Sequence, residues 1–270
     1  DMGASILQCS WGYPAGYYKD DNTYATLYPL EYAAIRYFES TTPKRNNRAL
    51  KGGGVAIFAS GNEGQAYASY PGAYRDFICV SAFGPDYLPA YYTNYGQGCN
   101  IASIGGEYYT GGANRYEAGI LSTLPYNVSE SGYGYMQGTS MACPHVSGVA
   151  ALGLSYAAQL RRHFKAEDFI ALMYETATPI DQYMTGIKQY KRYVADLLDS
   201  APMQSLDMKD FKGGMGHGQI NAYALLKAVE GAGAEMTFPN LYVAVGGQTT
   251  VSPSMYMVKL CTTALWTLRP

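Results

Sequence analysis

The stretch that most restricts the fold lies between Met141 and Leu160, where Ala, Gly, Val and Leu recur at helical spacing and no Asp, Glu, Lys or Arg interrupts them. Small side chains on every side let neighbouring elements approach a helix closely all round, so this segment predicts a helix packed inside the core. A buried helix needs layers to cover it, and the chain upstream supplies strands. Residues 4–10 and 55–60 are short apolar runs that read as buried strands, with a helical pattern over residues 32–38 between them, which makes a βαβ unit. Residues 78–82 and 101–103 add short strands, and residues 119–123 and 133–137 flank a turn-rich stretch as in a hairpin. The expected fold is α/β: a mainly parallel sheet flanked by helices, with an antiparallel addition.

Further along, Phe169, Ile170, Leu172 and Met173 mark the apolar face of a helix that ends before Pro179, and Asn221 is placed to cap another that closes at Gly231. Residues 184–213 are charged and lack periodicity, so they read as a surface insertion. After Gly233 the run Leu241-Tyr-Val-Ala-Val-Gly-Gly-Gln-Thr-Thr-Val reads as two short strands around a Gly-Gly turn. The chain therefore divides into a main domain over residues 1–230 and the start of a β-rich C-terminal extension over residues 231–270.

With 270 residues, 48% of them hydrophobic, there is material for one full-sized core. Net charge is -2 with Lys and Arg scattered, which argues against nucleic acid and anionic membrane surfaces as partners. No run approaches the roughly 20 apolar residues that span a bilayer. The cysteines Cys9, Cys79, Cys99, Cys143 and Cys261 are odd in number and form no CxxC pair, so they read as buried free thiols rather than zinc ligands. The 28 tyrosines suit exposed loops and extracellular surfaces.

The string Gly138-Thr139-Ser140-Met141-Ala142-Cys143-Pro144-His145-Val146-Ser147-Gly148 puts a serine where a turn passes into the buried helix. Exposed N–H groups and the positive end of the helix dipole favour negative charge developing there. Pro144 is expected in the first turn, where its missing donor costs little. A serine before a helix is ordinarily just a cap. The whole string, however, resembles the nucleophile motif of the subtilisin-like serine peptidases, and Ala59-Ser60-Gly61-Asn62-Glu63-Gly64 resembles their oxyanion-hole segment. Ser10-Trp11-Gly12, Tyr70-Pro71-Gly72 and Gly216-His217-Gly218-Gln219-Ile220-Asn221-Ala222 are similar to further elements in the family's order.

The resemblance implies the C-terminal portion of a subtilisin-like catalytic domain. Ser140 would be the nucleophile and Asn62 an oxyanion donor beside the Ser140 amide. Ser10, Trp11, Gly12, Ala59, Ser60 and Gly61 would line the substrate site of a polypeptide. It also implies a catalytic Asp and His on a segment preceding residue 1, so that these residues alone lack the N-terminal strands and are inactive. No metal ligand is assigned, although calcium is possible because relatives often bind it. A secreted or cell-surface location is expected. Trp11, where relatives carry a smaller aliphatic residue, implies a large hydrophobic or aromatic P1 and a small P4.

The three histidines have plain explanations. His145 lies five helical steps of about 100° from Ser140, His163 follows Arg161 and Arg162 at a helix end, and His217 sits in a glycine loop lacking the third glycine of a dinucleotide fingerprint. Ser140, Asp181 and His217 follow α/β-hydrolase order, but Ala142 stands where that elbow needs glycine. Gly52-Gly53-Gly54 precedes a strand and reads as a turn. Asn127-Val128-Ser129 fits a glycosylation acceptor that arises often by chance. The alternative from a different class is a non-catalytic subtilisin-like module that binds peptides without cleaving them.

Overall fold

The computed structural model describes residues 3–18, 20–41, 49–108, 116–191 and 203–231. In chain order its elements are β1 (Ile6–Cys9), α1 (Asp21–Leu27), α2 (Pro29–Ser40), β2 (Leu50–Lys51), β3 (Val55–Ala59), β4 (Ile78–Phe83), β5 (Ile101–Ile104), β6 (Ile120–Thr123), β7 (Tyr133–Met136), α3 (Thr139–Gln159), β8 (Phe164–Lys165), α4 (Ala166–Glu175), β9 (Ile187–Lys191), β10 (Met203–Asp207) and α5 (Ala222–Gly231). The extension expected after residue 231 lies outside the described residues.

The central sheet runs β1-β3-β4-β5 with every pair parallel. Parallel strands need both faces covered, and β3 shows how the sequence does this. Val55, Ile57 and Ala59 share one core with Ala142, Val146, Ala150 and Leu154 of α3, while Ala56 and Phe58 belong to a second core with Tyr24 and Ile35 of α1 and α2. The helix predicted from small residues is thus the central one. At Gly153 a methyl group would lie 3.0 Å from Leu225 and 3.2 Å from Phe169, so glycine is what lets α5 and α4 close on α3. Asn221 caps α5 as expected, its Oδ1 accepting from the Ala224 N–H at 2.9 Å. The hairpin β6–β7 is antiparallel and separate from the main sheet.

Two local expectations are corrected. Pro144 lies within α3, in its second turn, because the helix already begins at Thr139. The described parts of residues 184–213 are not merely a surface insertion. Residues 187–191 and 203–207 form the antiparallel pair β9–β10, and Met184, Met208 and Phe211 build a third core with Phe83, Ala102, Ile180 and Met215. Lys188 is only 4% exposed. Its ammonium donates to the Pro89 carbonyl at 2.8 Å and Glu107 Oε2 at 2.7 Å, with Asp86 Oδ2 at 3.1 Å.

The tyrosines divide between surface and core. Tyr17, Tyr87 and Tyr126 are exposed as expected, whereas Tyr18, Tyr24, Tyr70 and Tyr74 are buried in the second core, where their rings stack, tilt or meet edge to face. Each hydroxyl finds a partner there. Glu31 accepts from Tyr24 at 2.8 Å and Tyr13 at 3.0 Å, and Tyr18 donates to Tyr28 at 2.6 Å. β1 pairs with β3 on one side and has no strand partner on the other among the described residues.

Candidate active site

Parallel strands deliver their loops to one end of the sheet, and the N-terminus of α3 arrives at that end. β1 finishes at Cys9 and delivers Ser10-Trp11-Gly12. β3 finishes at Ala59 and delivers Ser60-Gly61-Asn62. The three segments meet around a cavity of about 170 Å³ lined by Ser10, Trp11, Gly12, Ala59, Gly61, Asn62, Glu63, Ser69, Thr139 and Ser140.

Ser10 and Ser140 hold each other. The Ser140 hydroxyl donates to the Ser10 carbonyl at 3.2 Å, and the Ser10 hydroxyl donates to the Ser140 carbonyl at 2.8 Å. Pro144 explains the second bond, because its missing N–H leaves the Ser140 carbonyl without the usual partner four residues on. A proline that looks like a helix defect therefore frees an acceptor that ties α3 to β1.

Asn62 caps the same helix. Its Oδ1 accepts from the Thr139 N–H at 2.8 Å and the Thr139 hydroxyl at 2.9 Å, and Thr139 Oγ1 in turn accepts from the Gly61 N–H at 3.2 Å. These bonds assign the amide orientation, so Nδ2 is the atom left for a guest in the cavity. The Ser140 N–H belongs to the first turn of α3, where amides have no intrahelical acceptor. Gly138, at φ 147°, opens the helix, with its N–H on the Gly105 carbonyl at 3.0 Å.

Of the predicted residues, Ser60 is the one turned inward, fully buried beneath the cavity with its hydroxyl on the Asn94 carbonyl at 3.1 Å. Sequence reasoning missed Asn94 itself. Its Nδ2 donates to the Ser60 carbonyl at 2.8 Å and Glu63 Oε2 at 2.6 Å, while its Oδ1 accepts from Glu63 N–H at 3.2 Å and Gln65 N–H at 3.0 Å. One buried amide thus fixes the turn that carries Asn62, and no local pattern signals it. Gly61, at φ 102°, leaves space that the Asn94, Ser69 and Glu63 side chains occupy.

Trp11 is 46% exposed, with its ring edge-on to Phe58 at 5.7 Å and Tyr13 at 6.4 Å. The indole borders the cavity while one edge rests on the core. Cys143, one turn beyond Ser140, is held as a thiol because burial pushes its pKa up.

None of the three histidines lines the cavity that Ser140 borders. His145 Nδ1 lies 2.8 Å from the Met141 carbonyl, His163 is exposed beyond the C-terminus of α3, and His217 stacks on Tyr174 with ring centroids 4.6 Å apart. Asp181 accepts from the Gly213 N–H at 3.0 Å, and neither Asp181 nor His217 lines the cavity that Ser140 borders. Among the described residues no group of three His, Cys, Asp or Glu side chains is disposed to hold a metal ion, and the oxygens of Asp86, Pro89 and Glu107 converge on Lys188 instead.

The family model described as the Subtilase family matches residues 1–218. The chain belongs to the subtilase family. It is 36% identical over 115 residues to Halolysin of Haloferax mediterranei, covering 41% of this chain and 19% of that protein. It is 32% identical over 130 residues to an Extracellular basic protease of Dichelobacter nodosus, covering 47% and 20%. The chain thus spans about a fifth of the length of these curated relatives. Among solved structures, the Prenylagaramide maturation protease PagA shares the fold, with a TM-score of 0.53 at 21% identity over 84% of this chain and 62% of that one.

The weaker subtilase-like strings have clear physical roles. The Tyr70 carbonyl accepts from the Tyr13 N–H at 2.7 Å and stands 2.9 Å from where a Gly12 side chain would begin, which is why Gly12 carries none. Gly216 and Gly218, at φ 65° and 105°, pack directly on the backbones of Asn100 and Thr178. They serve close backbone packing, not phosphate binding.

Proposed function

We propose that this subtilase is a serine endopeptidase that attacks peptide carbonyls through Ser140. The observation that carries the reading is the docking of Asn62 Oδ1 on Thr139, which reserves Asn62 Nδ2 for the cavity that Ser140 borders. As the Ser140 oxygen adds to the carbonyl carbon, the carbonyl oxygen gains charge that Nδ2 and the Ser140 amide stabilise. Collapse expels the amine and leaves an acyl-enzyme that water hydrolyses. Because His145 and His217 are engaged elsewhere and His163 lies exposed beyond α3, the general base and its orienting Asp come from a segment outside residues 1–270, docking beside the edge of β1 that has no strand partner among the described residues.

Asn62→Leu in the full-length protein is expected to lower kcat about 100- to 1000-fold with KM little changed, the scale reported when this kind of oxyanion donor is removed from subtilisin, a family member. An equal loss carried by KM would assign Asn62 to ground-state binding instead. The substrate is a polypeptide lying along Ser10-Trp11-Gly12, Ala59 and Gly61, with Ser60 supporting the turn from below. Trp11 beside the cavity favours a large hydrophobic or aromatic P1 and a small P4, with Glu63 and Ser69 adding tolerance for polar groups. In a peptide-library profile Trp11→Leu is expected to relax the P4 preference, and unchanged P4 selectivity would remove Trp11 from the substrate site.

A secreted or cell-surface location suits this reading. The Dichelobacter relative is named extracellular, and no described helix is long and apolar enough to cross a membrane.

A further inference from the structure

The turn that carries Asn62 does not hold itself. Gly61 and Gly64 sit at φ 102° and 66°, and among the described residues no backbone–backbone bond joins two members of residues 61–65. Their polar groups go instead to residues 92–95. The Gly64 N–H donates to the Tyr92 carbonyl at 2.8 Å, the Asn94 N–H to the Gly61 carbonyl at 3.1 Å and the Tyr95 N–H to the Gln65 carbonyl at 2.9 Å. Asn94 also reaches across with its side chain, where Oδ1 accepts from the N–H groups of Glu63 at 3.2 Å and Gln65 at 3.0 Å. The Gly61 carbonyl and the Glu63 N–H belong to the two peptide planes that flank the Asn62 Cα. One residue therefore grips both planes, and with them the two backbone dihedrals that aim the Asn62 side chain.

The grip has a firm base. Thr93 and Asn94 are fully buried, and the Asn94 carbonyl accepts from the Ser60 hydroxyl at 3.1 Å and the Thr93 hydroxyl at 3.0 Å. Thr93 Oγ1 in turn accepts from the Ala82 N–H of β4 at 2.8 Å, which ties the segment to the central sheet. On its other side Asn62 is held to α3 through Thr139. We propose that Asn94 is a positioning residue for the reaction: it sets the Asn62 backbone so that Asn62 Nδ2 meets the oxyanion, without lining the cavity itself. The inference rests on the peptidase reading. A misplacement of about 1 Å can cost on the order of 100-fold in rate. The bond to the oxyanion strengthens only as the carbonyl oxygen takes up charge, so the loss falls on kcat and not on KM. A residue that acts through Asn62 also loses its effect once Nδ2 is gone, whereas one that merely supports the fold does not.

The test is a double-mutant cycle in the full-length protein, with peptide hydrolysis measured per serine titrated by a fluorophosphonate so that unfolded molecules do not count. Asn94→Ala removes the acceptor from the Glu63 and Gln65 N–H groups and is expected to lower kcat about 10- to 100-fold with KM little changed. In the Asn62→Leu background the same substitution is expected to change kcat by less than about twofold. Asn94→Ser, whose hydroxyl is too short to hold both N–H groups, carries the same expectations if the alanine variant does not fold. An unchanged kcat, a loss carried by KM, or a loss of equal size with and without Asn62 overturns the inference and leaves the peptidase reading standing. An unsubstituted full-length protein that hydrolyses no peptide overturns both.

Discussion

Replacing Ser140 with alanine in the full-length protein is expected to lower kcat on a peptide substrate on the order of a million-fold, the scale of nucleophile removal in subtilisin. The substitution deletes the hydroxyl and its bond to the Ser10 carbonyl but leaves the Asn62–Thr139 cap and the bond from Ser10 Oγ to the Ser140 carbonyl intact. The cavity therefore keeps its shape, and residual turnover comes from binding and the oxyanion donors alone. A fluorophosphonate probe, which bonds only to an activated serine, is expected to label the unsubstituted protein at Ser140 and leave the alanine variant unlabelled. Absence of labelling and of peptide hydrolysis in the unsubstituted full-length protein would instead mark a module that binds peptides without cleaving them. Hydrolysis that survives Ser140→Ala but is lost in His217→Ala would move the reaction to a different centre.

The second large effect is expected far from the cavity, at Lys188. Lys188→Met removes the ammonium that neutralises Glu107, a side chain with no exposed surface, and stability at pH 8 is expected to fall by about 3–5 kcal/mol. Acid should reduce that penalty. Burial pushes the Glu107 carboxyl up to about 7, against the opposing pull of Lys188, so its folded-state value lies above the unfolded one. Stability gained by burying the neutral acid is fully present below the ordinary carboxyl range and is lost as pH rises through about 7. The cost of Lys188→Met is therefore expected to be smaller at pH 5 than at pH 8. Paired urea melts at the two pH values check this, with Lys188→Met/Glu107→Leu recovering much of the loss at pH 8. A cost independent of pH would show that Lys188 acts through packing of β9 rather than through charge.

Much of this molecule was legible from sequence because the signals were local. A run of small residues without charge predicts a buried helix wherever it occurs, and α3 is that helix. Short apolar runs between turn residues located β3, β4 and β5, since strands buried on both faces have no room for polar alternation, whereas β1, expected to be buried, is an edge strand among the described residues, with Gln8 exposed and only Cys9 buried. The strings around Ser140 and Asn62 were also readable, because a nucleophile and an oxyanion donor each need a particular turn built from consecutive residues.

What sequence could not supply were partnerships between distant residues. Lys188 reads as a solvated charge until β9 carries it against Glu107 and Asp86, where pairing offsets the cost of burial. The tyrosines suggested exposed loops, which holds for Tyr17, Tyr87 and Tyr126, yet Glu31 and the Tyr28 hydroxyl satisfy the polar tips of Tyr24 and Tyr18 and let those rings fill a core. Pro144 looked like a first-turn residue because its consequence, a freed Ser140 carbonyl, matters only once β1 brings Ser10 within 2.8 Å. Asn94 carries no motif at all. Sequence alone determined which elements form and which turns hold the reactive groups, because those depend on neighbours along the chain. Tertiary structure alone decided which polar groups are buried and what they hold in place, because that depends on partners that only folding brings within hydrogen-bonding distance.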